Sequence, residues 1–239
     1  MAPWGYLTTL VWGVLAFVLA QVAGALVLYW WYGSNLQDLL ELLRSRPYDG
    51  VALVLGTFAT NFVEVAVLAG FAALKRWNPA EYLGLVPWRT ADLKLALSAL
   101  AIFLLAGDAA LYLAGQDLVP PFQIKAYETA RESGWLPVLA IATIIVAPAG
   151  EELFFRGFLF RGWVRSSRYA WIGIVVISII FATLHFQYDL FGRFQVLAIG
   201  LLLGWLRYRS GSTALTILCH GLFNLESSLE TIIKVHWFP

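Results

Sequence analysis

Residues 147–157 read APAGEELFFRG, which sets two adjacent carboxylates, Glu151 and Glu152, and one guanidinium, Arg156, inside an otherwise apolar stretch. A charge at the centre of a spanning helix costs at least about 2.5 kcal/mol on insertion scales, so such groups persist only when paired, wetted or used. Glu152 and Arg156 stand four apart with the acid first, the order in which one helix face forms an ion pair. Glu151 is rotated by about 100° from Glu152 and is left over, so it must face a group that holds or exchanges a proton. The alternative is that all three charges cap a short helix that begins near the membrane surface after Pro148, Ala149 and Gly150.

Two further polar pairs match the unpaired carboxylate. In IIFATLHFQ, Phe181 and His185 lie one turn apart, and in TILCHGLFN, His220 and Asn224 do the same. A single histidine in an apolar helix reads as a buried hydrogen-bonding residue. Two histidines, an asparagine and a spare glutamate together form a set that can activate water and stabilise an oxyanion. Other chemistries find less support: the chain has no GxSxG loop, and LAGD at residues 105–108 lacks the first glycine of an aspartyl GxGD pattern. Asp108 and Glu64 also fall in apolar windows, where each can hydrogen-bond a neighbouring helix, and Glu64 can instead support the site from behind. Cys219, the only cysteine, reads as a small packing residue and excludes an internal disulfide or a cysteine metal cluster.

The elements that carry these residues must live in lipid. With 60% hydrophobic and 13% charged residues and a mean hydropathy of +0.74, the chain has too few polar groups to coat a soluble globule. A net charge of +1 without a basic run argues against a nucleic-acid partner. Windows of roughly 20 apolar residues predict about seven spanning helices, with six to eight allowed: 4–32, 51–74, 93–113, 135–163, 169–186, 191–208 and 212–233. The expected architecture is an all-α, polytopic transmembrane bundle forming one integral membrane domain over residues 1–239, placed in the cell membrane if the source is prokaryotic. The first segment has no basic n-region and no small-residue cleavage site, and reads as a retained helix. Tryptophans such as Trp30, Trp31, Trp77, Trp88 and Trp163 read as interfacial belt residues. Two connections, 35–47 and 120–133, have amphipathic spacing; they are plain connectors, or surface helices that guide a lipid-embedded substrate. Lys75, Arg76, Arg89, Lys94, Arg161, Arg165, Arg168, Arg207 and Arg209 fall on one side of this bundle. Arg44, Arg46, Lys125, Arg131, Arg193 and Lys234 fall on the other, so the positive-inside bias places the N-terminus in the cytoplasm.

The ordered set of motifs resembles the CPBP intramembrane proteases, also called the Abi or type II CAAX prenyl endopeptidase family. The resemblance rests on EExxxR as Glu151, Glu152 and Arg156, FxxxH as Phe181 and His185, and HxxxN as His220 and Asn224, all within residues 135–233. It implies an endopeptidase that cleaves a peptide or a prenylated, membrane-associated protein. Glu151 would be the general base, His185 would position the water, and His220 with Asn224 would donate to the oxyanion. Glu152, Arg156 and Phe181 would support them. No cofactor is required by these residues, yet Glu151, His185 and His220 are also an acceptable zinc set. The absence of HExxH and the presence of Asn224 favour the metal-free alternative. Competing classes are a small-solute or proton transporter, which predicts a symmetry-related second half, and a non-proteolytic scaffold or immunity protein, which predicts a lost motif residue. Neither signature is present.

Helix rise poses a geometric problem. Straight, untilted helices at about 1.5 Å per residue would hold His185 well away in depth from Glu151 across a membrane about 30 Å thick. The expectation is therefore an offset or tilted fifth helix, an interruption of the fourth near Pro148 to Gly150, and a water-filled cavity where Glu151, His185, His220 and Asn224 meet.

Overall fold

The computed structural model describes residues 3–33, 37, 44 and 48–238, and among them every regular element is a helix. In chain order these are α1 (Tyr6–Tyr32), α2 (Gly50–Leu74), the short α3 (Pro79–Tyr82), α4 (Thr90–Leu113), α5 (Pro121–Glu132), α6 (Leu136–Trp163), α7 (Ala170–Leu184), α8 (Leu190–Ser210) and α9 (Thr213–Trp237). Six of them, α1, α2, α4, α6, α7 with its leading turn, and α8, are long and apolar enough to cross a membrane. The expected seventh span, α9, is 25 residues long but too polar to join that set, because its second half carries Ser227, Ser228, Glu226 and Glu230. Most of the amphipathic 35–47 connection lies outside the described residues.

Local chemistry sets the ends of these helices. Asp49 caps α2 by accepting from the Val51 and Ala52 amides, and it also accepts from the Tyr32 hydroxyl, which ties the end of α1 to the start of α2. Asn78 caps α3, Asp189 caps α8 and Ser212 caps α9 in the same manner. In α5 the inward face buries Ala126, Thr129 and Ala130, and the Thr129 hydroxyl accepts from the Gly50 amide, so this short helix is fixed against the start of α2.

The core runs along α6. Leu153, Phe154, Phe155, Phe158, Leu159 and Phe160 are all buried, and they pack against Leu68 and Phe71 of α2, Ile174 and Phe181 of α7, Leu203 of α8 and Leu215 of α9. A helix buried on every side is the place where a charged pair can be kept from lipid, and Glu152 and Arg156 are 0% and 1% exposed there.

The interruption expected at Pro148 to Gly150 does not occur, and the chain bends its helix differently. α6 stays continuous from Leu136 to Trp163, with widened π turns at Ala142–Val146 and Leu153–Leu159 and an α-helical turn at Ala147–Glu152 between them. Pro148 has no N–H, so the carbonyl five residues earlier in the π register, that of Thr143, lacks a backbone donor. The Asn224 side chain supplies it, with Nδ2 donating to the Thr143 oxygen at 2.8 Å. This compensation lets a proline sit inside an unbroken helix at membrane depth.

Candidate active site

Glu151 lies on the α-helical turn between the two π turns, and its position is set by Gly150 beside it. A Cβ on Gly150 would collide with the side chain of Asn61 on α2. Only a glycine at that point lets α6 approach α2 closely. On the opposite flank, a Cβ on Gly221 would come within 2.8 Å of the Ile144 carbonyl, so Gly221 draws α9 equally close to the first π turn. His220 and Asn224 are carried into the site by that approach.

His185 arrives from a helix end. The sequence pattern extends the fifth span through Phe186, but α7 stops at Leu184 and His185 is the residue that follows it, with φ −88° and ψ 54°. The carbonyls of a last helical turn have no intrahelical partner. His185 fills one with its ring, since Nδ1 lies 2.7 Å from the Phe181 oxygen. A carbonyl only accepts, so Nδ1 carries the proton and Nε2 is turned towards the site.

His220 is oriented by the same device with a different acceptor. Its Nδ1 is 3.0 Å from Glu152 Oε1, which also accepts from Arg156 Nη1 at 2.8 Å. Arg156 Nη2 in turn donates to the Gly200 carbonyl of α8 at 2.9 Å. Glu152 therefore does two things: it forms the ion pair expected from the four-residue spacing, and it holds an imidazole. The Phe181 ring fills the space between these groups. It lies 4.4 Å from the His185 ring centroid and 5.9 Å from that of His220, with the Arg156 guanidinium 4.7 Å above it.

The result is a convergence on one carboxylate oxygen. His185 Nε2 and His220 Nε2 each lie 3.9 Å from Glu151 Oε2, and that oxygen has no hydrogen-bond partner among the described residues. The spacing is too long for direct hydrogen bonds and suits an intervening water. Expectation and structure agree that Glu151, His185, His220 and Asn224 line one cavity, of about 500 Å³. The rest of its wall is mixed, with Leu53, Leu136, Leu139, Val196, Ile199 and Phe223 on one part and Gln123, Tyr188, Ser227 and Thr231 on another.

Four site-lining or site-holding residues escape a reading of the sequence. Thr143 is the carbonyl partner of Asn224, and it is invisible until the π turn is known. Asn61 packs on Gly150 from a helix with no motif. Tyr188 lines the cavity three residues beyond His185, with its ring 6.2 Å from the imidazole, and burial pushes its phenol up to about 12. Gln123 donates from Nε2 to the Tyr188 hydroxyl at 3.4 Å and accepts at Oε1 from Ser227 and Thr231 of α9. The signal for Gln123 was a polar residue beside Phe122 on the inward face of the 120–133 helix. Of the two isolated acids, Glu64 is buried on α2 within electrostatic range of Glu151, and Asp108 stands beside Glu226 and Glu230, away from the cavity.

Comparison with known proteins adds two findings. A family model described as type II CAAX prenyl endopeptidase Rce1-like matches residues 133–225, the stretch that holds every motif residue above. A protein of Escherichia coli, described as an uncharacterized 24.3 kDa protein, is 32% identical over 174 residues, covering 68% of this chain and 75% of its own. No solved structure matches the chain.

Proposed function

The chain belongs to the Rce1-like family of type II CAAX prenyl endopeptidases, and from that we propose an intramembrane endopeptidase in which Glu151 activates a water against a peptide bond. The observation that carries this reading is the unpartnered Glu151 Oε2, set 3.9 Å from the Nε2 atoms of both His185 and His220.

Hydrolysis needs a deprotonated water, donors for the tetrahedral oxyanion and a proton for the leaving amine. Glu151 Oε2 takes one proton of the water while His185 Nε2 accepts a hydrogen bond from the other, which aims the oxygen lone pair at the scissile carbonyl. The new C–O bond places negative charge on the carbonyl oxygen. Asn224 has a second Nδ2 hydrogen beyond the one given to Thr143, and it donates there. His220 donates from Nε2 only as an imidazolium, because its Nδ1 proton is held by Glu152, and that carboxylate supplies the counter-charge. The Tyr188 phenol, neutral up to about 12, is a further donor on the wall. Collapse of the intermediate breaks the C–N bond, and the proton held by Glu151 passes to the departing nitrogen. One acid and one amine leave.

The donor set also fits a divalent metal such as zinc, since both imidazoles have Nδ1 tied to an acceptor, and His185 Nε2, His220 Nε2 and Glu151 Oε2 would then hold an ion that lowers the pKa of its bound water. The apolar part of the wall suits a hydrophobic peptide segment or the isoprenoid of a prenylated one.

The test is to incubate the purified chain in detergent with farnesylated and unfarnesylated CAAX peptides, with and without a chelator, beside Glu151→Gln. Cleavage by the wild type that falls at least about 100-fold in Glu151→Gln is expected, the usual size of a general-base contribution. Equal cleavage by both proteins would remove Glu151 from the mechanism. Loss of activity on chelation would assign the metal-bound form.

A further inference from the structure

We infer that the face of α9 running from Asn224 through Ser227 and Ser228 to Thr231, together with Gln123 of α5, binds the main chain of the substrate and sets how its peptide lies against Glu151. The inference rests on the proteolytic reading of the Glu151 site. It adds the part of the substrate that the cavity holds, about three residues of extended chain beside the scissile bond.

Two observations combine to give it. The first is a polar stripe at helical spacing. Asn224, Ser227, Ser228 and Thr231 recur at steps of three and four residues, which places them on one face of α9, and all four line the cavity. From Asn224 to Thr231 that face rises about 10 Å, the length of about three residues of extended chain at about 3.3 Å each. Ser227 and Thr231 stand about 6 Å apart along the helix, close to the repeat of about 6.6 Å at which an extended chain presents N–H groups on one edge. Since Asn224 is the proposed oxyanion donor, the stripe leads a bound peptide away from the reacting carbonyl.

The second is what these groups have left to offer. A hydroxyl has one proton to donate and two lone pairs that accept. The Ser227 proton goes to Gln123 Oε1 at 3.0 Å, and the Thr231 proton to the same oxygen at 3.1 Å or to the Ser227 carbonyl at 2.9 Å. The Ser228 proton goes to the Asn224 carbonyl at 2.6 Å. Each hydroxyl oxygen therefore meets a substrate as an acceptor. A peptide that enters the cavity gives up the water on its N–H groups, and these lone pairs replace it. Gln123 complements them: one Nε2 proton goes to the Tyr188 hydroxyl at 3.4 Å, and the other is left for a peptide carbonyl. Main-chain amides are the match because the stripe is polar and uncharged. Glu151 is the one carboxylate among the described residues that line the cavity, and no lysine or arginine joins it there. Leu53, Leu136 and Leu139 give the cavity an apolar part for side chains.

The experiment measures binding of a fluorescently labelled CAAX peptide to the full chain in detergent, on the Glu151→Gln background so that turnover does not enter. A set of peptides carries an ester in place of one backbone amide at a time, which removes the N–H and keeps the length of the chain. At one or two positions within about three residues of the scissile bond the ester should weaken binding about fivefold to tenfold, the size of one neutral hydrogen bond. Ser227→Ala and Thr231→Val each remove one acceptor, and in the matching variant the same ester should cost less than about twofold, because its N–H has no partner left to lose. A merely structural role for the hydroxyls would leave the ester penalties as they were. Esters without effect at every position, penalties undiminished in both hydroxyl variants, or a parent peptide that does not bind would each overturn the inference. The proteolytic reading is scored separately, by cleavage in the wild type against Glu151→Gln.

Discussion

Glu151 and Glu152 are neighbours with opposite fates, and substitution separates them. Glu151 Oε2 has no hydrogen-bond partner among the described residues, so Glu151→Gln removes a base and no hydrogen bond seen there. Its melting temperature in detergent should match that of the wild type while turnover disappears; a large loss of stability would show that the carboxylate holds the fold. Glu152 and Arg156 are buried, and removing one partner of a buried pair strands the other charge at a cost of about 3–5 kcal/mol. Glu152→Ala and Arg156→Ala should each lower the melting temperature strongly, and a double change to apolar residues should recover part of the loss. Unchanged melting in the single variants would mean that water reaches both charges. Tyr188 provides a pH test. Burial raises its phenol to about 12 against an ordinary value near 10, so the folded chain holds that proton more tightly than the unfolded chain. The associated stability is complete below about pH 10 and is lost as pH rises towards 12. Tyr188→Phe should flatten that alkaline decline, measured as melting temperature against pH; an identical slope in both proteins would contradict the burial of the phenol.

At the level of elements, the polar residues that meet in the fold were legible and the means of bringing them together was not. Charges in an apolar window marked Glu151, Glu152 and Arg156, and four-residue spacing gave the ion pair that the fold contains. The depth conflict between Glu151 and His185 came from assuming straight α-helices of uniform rise. The structure nevertheless brings His185 Nε2 to 3.9 Å from Glu151 Oε2, with a π turn ahead of Glu151 in α6 and α7 ending at Leu184, and neither feature has a periodicity that a hydrophobic pattern reports. Asn224 read as an oxyanion donor, and its second duty to the Thr143 carbonyl follows only from the π register before Pro148. Asn224→Asp keeps the size of the side chain but cannot donate to that carbonyl, so it should lower both the melting temperature and turnover; a fully stable but inactive variant would restrict Asn224 to catalysis. The close approach at Gly150 is testable in the same way. Gly150→Ala drives a methyl into Asn61 and should destabilise by about 1–3 kcal/mol, the usual cost of overpacking, with partial recovery when Asn61→Ala is added. Absence of any recovery would mean that another contact sets the helix spacing.

Taken as a whole, the molecule keeps the Glu152–Arg156 pair among buried aromatics and opens a cavity of about 500 Å³ beside it. The bundle itself was legible from composition alone, and the count of apolar spans, six where about seven were expected, differs because α9 exchanges hydrophobicity for the polar residues that line the cavity. The central claim is that Glu151 and His185 act on one shared water, and a double-mutant cycle on kcat/KM for a single quenched peptide tests it most directly. Residues that act as a unit are strongly non-additive, because losing either one disables the same step. Glu151→Gln combined with His185→Ala should therefore be no slower than the worse of the two single variants, with any fall in melting temperature coming from the lost His185 cap on the Phe181 carbonyl and equal in the single and double His185 variants. Losses that multiply in the double variant would mean that the two side chains act on separate steps, and the shared water would be contradicted.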